Sequence, residues 1–96
     1  MAKRMVKSNI QVLLIKEGDA YVCYAPAFDL AAHGDTREDA KKSFETTFNI
    51  FVQEVTRMGT WSKVLKEYGW KKVRNRFIPP QLLGRTTRSV QIPAFA

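Results

Sequence analysis

The chain is short of cysteine, of histidine and of long apolar runs, and each scarcity removes a class of function. A single thiol, Cys23, cannot close an intrachain disulfide, and no Cys/His spacing suited to zinc occurs; a reducing, cytoplasmic setting is expected. With His33 as the only imidazole, general-base pairs, nucleophile triads and His-based metal sites lack their usual second member. The aliphatic run Val12 to Ile15 is far too short to span a bilayer, and no apolar stretch of signal-peptide length follows the basic start Met1 to Lys7. No membrane role is expected. Internal repeats and low-complexity tracts are also missing. Nothing in these residues asks for a cofactor or a metal, and an enzyme is not expected.

Acidic residues are missing from both ends. Residues 1–8 carry Lys3, Arg4 and Lys7, and residues 70–96 carry Lys71, Lys72, Arg74, Arg76, Arg85 and Arg88, with no carboxylate in either segment. Residues 9–69 hold seven basic side chains against nine acidic ones, so the net charge of +7 belongs to the ends and the body is mildly acidic. At 96 residues, 45% hydrophobic and 26% charged, the chain has the composition of one ordinary folded domain. A domain this small buries only about two thirds of its unfolded surface, so association into a homo-oligomer, a dimer first, is a natural supplement.

The chain divides into a basic arm (residues 1–8), an α+β body (9–78) and a tail (79–96). Asn9 to Lys16 reads as a strand, Glu17-Gly18-Asp19 as a hairpin turn, and Ala20 to Ala25 as a second strand stopped by Pro26. Phe28 to His33 can return as a third antiparallel strand before Gly34. Thr36-Arg37-Glu38-Asp39 is a helix start, with the Thr hydroxyl accepting from a first-turn amide and Asp39 reaching back. Ala40, Phe44, Phe48, Phe51, Val52, Val55 and Met58 recur at steps of three and four, one apolar stripe on a helix ending at a Gly59 cap. Thr60 opens a second, short helix with Trp61, Val64, Leu65 and Tyr68 on its apolar face, closed by Gly69. Trp70 to Ile78 reads as one edge strand with interleaved charge. After Pro79-Pro80, the β-like piece Ser89 to Ile92 suits a tail that docks on a partner or pairs at a sheet edge.

The chemistry-bearing residues have bland readings beside functional ones. Cys23, within an apolar strand, reads as a small buried hydrophobe. Asp35, Glu38 and Asp39 are accounted for by capping and the positive end of the helix dipole, and Asp29 by a turn, although clustered carboxylates can also hold cations. The Phe stripe reads as core, and Trp61 and Trp70 as rings closing the core beside helix ends. Lys71, Lys72, Arg74, Arg76, Arg85 and Arg88 can either line a nucleic-acid backbone or form a solvated face.

Glu17-Gly18-Asp19-Ala20-Tyr21, Ala25-Pro26, Asp29-Leu30 and then Gly34-Asp35-Thr36 with Glu38-Asp39-Ala40 resemble, as an ordered set, the HicB family of antitoxins. Gly59-Thr60, Leu65 and Gly69-Trp70 look like a subgroup with a second short helix, so the likeness runs from about Asn9 to Trp70. The resemblance implies a small antiparallel sheet of three to four strands packed by one long helix, similar to a truncated ribonuclease H-like fold without catalytic carboxylates. It also implies a job: neutralising a HicA-type mRNA-cleaving toxin by covering its RNA-binding surface. On that reading Tyr24, Asp29, Leu30 and His33, with the tail, are the toxin-contacting residues, and the mildly acidic body suits a basic partner. The C-terminal DNA-binding module common in the family has no counterpart in the residues after Trp70. The basic ends keep a different reading open, a small nucleic-acid-binding protein using those ends as phosphate clamps.

Overall fold

In a computed structural model, which describes residues 7–94, a three-stranded antiparallel sheet of order β1-β2-β3 is followed by two helices and a separate two-stranded hairpin. The strands are β1 (Leu13–Glu17), β2 (Ala20–Ala25) and β3 (Leu30–Gly34); the helices are α1 (Arg37–Met58) and α2 (Trp61–Glu67); the hairpin is β4 (Lys71–Val73) with β5 (Arg76–Ile78). The architecture is α+β. No described helix is long and apolar enough to cross a membrane.

Glu17 pairs with Ala20, so the β1–β2 loop has two residues, and Gly18 takes the first of them at a φ of +59°. Glycine adopts that left-handed backbone without penalty. β1 starts at Leu13, later than the Asn9 expected from sequence. Val12 would face Ala25, where β2 ends because Pro26 turns the chain into a 3₁₀ turn, so the residues before it have no strand to pair with. The third strand also starts later, at Leu30. Pro26–Phe28 form the 3₁₀ turn, and Asp29, at a φ of 49°, reverses the chain so that Leu30 pairs with Ala25.

Helix α1 begins as expected: the Thr36 hydroxyl accepts from the Asp39 backbone N–H at 3.0 Å. The reciprocal bond from the Asp39 side chain is not among the hydrogen bonds of the described residues; its carboxylate is one methylene shorter than the Glu of a full capping box. Gly34 explains the glycine ahead of that cap. A side chain there would collide with the backbone of Asp39 and Ala40, so its absence lets the first turn of α1 lie directly on β3. Both helices end alike. The N–H groups of Gly59 and Thr60 donate to Thr56 and Val55, and those of Gly69 and Trp70 to Lys66 and Leu65, each glycine at positive φ. Paired bonds of this kind satisfy the last carbonyls of a helix.

The core has two joined parts. Beneath α1, Cys23, Ala25 and Ala32 of the sheet pack against Ala40 and Phe44, small residues that let helix and sheet approach closely. Beyond it lies an aromatic cluster centred on Phe28, whose ring stands 5.2 Å from Phe51, 5.2 Å from Trp70, 5.8 Å from Phe48 and 6.4 Å from Trp61. Ile10, Leu30 and Phe48 touch both parts. The expected apolar stripe therefore holds through Val55, but Met58 is exposed.

Two expectations are corrected. Trp70 to Ile78 is not one strand at the edge of the main sheet but the β4–β5 hairpin, with Val73 paired to Arg76 across a two-residue Arg74-Asn75 turn. Charges at nearly every position disguise the turn, because the residue taking the left-handed φ of 58° is Arg74, where glycine or asparagine is the usual signal. The tail piece Ser89 to Ile92 forms no strand. Residues 79–92 have no regular secondary structure.

Candidate partner-binding surface

Strand periodicity assigns the sheet's two faces. Cys23, Ala25 and Ala32 point at α1, so Val22, Tyr24, Ala31 and His33, with their β1 neighbours Leu13 and Ile15, point away from it. No described helix covers this second face. Helix α1 packs over β3 and β2 and leaves β1 outside its cover. All five residues of β1 are exposed, Leu13, Leu14 and Ile15 at 40–42%.

One edge of β1 pairs with β2, and the other meets no strand among the described residues. An edge that presents free N–H and C=O groups among large aliphatic side chains is a template for another chain. The tail adds to it. Leu82, Leu83, Val90 and Ile92 are 62–92% exposed, and the start of the tail runs beside Gln11 to Leu13, bordering hollows of about 530 and 550 Å³. The Cα radius of gyration is 16.8 Å, against about 12.5 Å for a compact chain of this length. An extended tail accounts for the excess.

Of the expected contact residues, the structure brings three together and turns one away. The Tyr24 hydroxyl donates to Asp29 Oδ1 at 2.9 Å. That hydrogen bond, with smaller contributions from desolvation and the carboxylate's charge, pushes the Tyr24 phenol above its ordinary range. His33 lies on the same uncovered face, with Nε2 3.9 Å from the Glu17 carboxylate, both side chains exposed. Leu30 alternates to the other face and packs into both parts of the core. Its surface role does not fit that placement. Cys23 is buried. Among the described residues, no three of His, Cys, Asp and Glu come together as a metal-holding group.

The sequence reading placed a strand at β1 but did not count it as contact surface. Four consecutive aliphatic residues look like a strand buried on both faces, and only counting the elements available to cover it reveals that α1, packed over β3 and β2, leaves β1 uncovered.

The basic residues occupy two places. Lys71, Lys72, Arg74 and Arg76 stand on the β4–β5 hairpin, all exposed, whereas Arg85 and Arg88 belong to the tail. Lys3 and Arg4 of the basic arm lie outside the described residues. Trp70 holds the hairpin to the body: its indole stacks on Phe28, and Nε1 donates to the Ala27 carbonyl at 2.9 Å. A non-glycine residue in the left-handed region costs about 1–2 kcal/mol, so the Arg74 turn is maintained against a local penalty. No protein-family model, curated protein or solved structure matches this chain.

Proposed function

We propose that this chain is an antitoxin-like binding protein of the HicB type, which neutralises a small, basic, mRNA-cleaving toxin of the HicA type by covering its RNA-binding surface. The observation that carries this reading is the unshielded β1 edge, with Leu13, Leu14 and Ile15 exposed beside an extended tail that offers Leu82, Leu83, Val90 and Ile92. A strand of the toxin would extend the sheet at β1 through main-chain hydrogen bonds, and the tail would wrap the toxin's apolar surface. Glu17 and Asp29 border the open face and suit a cationic partner.

Three antiparallel strands leading into one long helix also support the truncated ribonuclease H-like reading of the body. The protein's part in this is binding, not catalysis, in the cytoplasm, with two copies associating through surface the toxin leaves free. The proposal requires a short reading frame for a small basic toxin beside this gene, and co-expression of the chain with that product should restore growth of cells that the toxin alone arrests. Continued arrest, with both proteins present in soluble form, would refute the proposal.

A further inference from the structure

The β4–β5 hairpin forms one wall of a groove of about 630 Å³ whose lining includes Lys7, Ser8, Asn9, Arg74, Arg76 and Phe77. Three cations face this hollow, and no carboxylate lines it. Among the described residues, the only ion pairs are Arg57 with Glu54 and His33 with Glu17, so Lys7, Arg74 and Arg76 have no acidic partner within 4.0 Å. Lys71 and Lys72 extend the positive surface along β4, and the Lys72 ammonium sits 5.9 Å from the centre of the Phe77 ring.

Cations gathered without counter-charges repel one another, and a ligand with several regularly spaced negative charges relieves that repulsion. Arg74 adds an independent observation. It holds a left-handed backbone that glycine would adopt freely, in the two-residue turn at the tip of the ribbon, and it is exposed. Strain retained at such a position points to a use for the side chain.

We infer that this groove and the hairpin beside it bind the phosphodiester backbone of nucleic acid. Arginine forks match phosphate oxygens with two parallel hydrogen bonds, and Ser8 and Asn9 add neutral donors. The half-buried Phe77 in the lining adds an apolar contact for a base. Backbone contacts of this kind are independent of sequence, and each releases counterions. Arg85 and Arg88 are not in the groove lining and take no part. None of the groove's cations belongs to the proposed toxin surface, so toxin binding by the same variants separates the two.

The test is fluorescence anisotropy of the full chain with a labelled DNA duplex and a labelled single-stranded RNA, each across a salt series, with polyglutamate as a competitor. Roughly four phosphate contacts should give a log–log salt slope near −4 on duplex DNA and a shallower one on the single strand. Relative strength on the two probes distinguishes duplex from single strand as the source of the backbone. Arg74→Gly should lose several-fold in affinity and about one unit of slope while its melting temperature stays level or rises, because the strain is relieved as the charge is removed. Arg74→Gln with Arg76→Gln should lose about two units of slope and leave toxin binding intact. The inference is overturned if neither probe binds at low salt, if affinity and slope are unchanged in both variants, if polyglutamate competes as well as the oligonucleotides do, or if toxin binding falls together with oligonucleotide binding.

Discussion

The indole N–H of Trp70 donates to the carbonyl of Ala27 at 2.9 Å, linking residues 43 apart in the sequence. Ala27 sits in the 3₁₀ turn between β2 and β3, and Trp70 immediately precedes the hairpin, so this one bond fastens the hairpin to the sheet. Trp70→Phe keeps much of the ring packing but leaves the Ala27 carbonyl unpaired, and should cost about 1–3 kcal/mol in urea unfolding. Trp70→Ala also opens the space beside Phe28 and should cost about 3–5 kcal/mol. Equal stability of the two variants would show that the hydrogen bond, not the ring, holds the hairpin.

Gly34 and Ala40 set the approach of α1 to the sheet. Because an added Cβ at Gly34 meets helix backbone rather than a movable side chain, Gly34→Ala should destabilise the fold by about 3 kcal/mol, the upper end of ordinary overpacking. Thr36→Ala, two residues on, removes only a cap and should cost about 1 kcal/mol. A chemical denaturation series comparing the two checks the ranking.

Tyr24 and Asp29 supply a pH signature of the open face. The folded phenol titrates above the unfolded value near 10, so the stabilisation it brings is complete below pH 10 and is lost as pH rises through the raised value. Phenolate absorbance should show one tyrosine titrating late, and Asp29→Asn should bring it back toward the ordinary range. An unshifted titration in the unsubstituted protein would mean the bond does not form in solution.

Much of the fold was legible in the sequence, and the parts that were not share a cause. The β1–β2 turn at Gly18, the Thr36 cap and the glycine ends of both helices carry local signals, because each depends on a backbone angle or a single side-chain bond. The β4–β5 turn gave none, since Arg74 occupies a position where glycine or asparagine would have marked it. Phe28 read as strand from its neighbours, yet it is the hub of the aromatic cluster, a role fixed by α1, α2 and Trp70 together. The candidate contact surface was half visible: Tyr24, Asp29 and His33 fall on one side, but the exposure of β1 depends on how far a single helix reaches.

The uncovered β1 edge has its own consequence for folding. Ile15→Lys places a charge on an exposed strand position and should leave the melting temperature within a few degrees of the parent, since surface changes cost about 0.5 kcal/mol or less. A large loss of stability would mean that Ile15 is buried in the free protein, for example against a second copy.

The decisive measurement is a calorimetric titration of the full chain with a catalytically inactive form of the proposed HicA-type toxin, repeated for Ile15→Lys and Leu83→Asp. Tight one-to-one binding by the parent, weakened at least tenfold in each variant without loss of fold, is the expected result. No heat of binding from the parent, or affinity untouched by either substitution, would contradict a toxin-binding role for the β1 edge and tail.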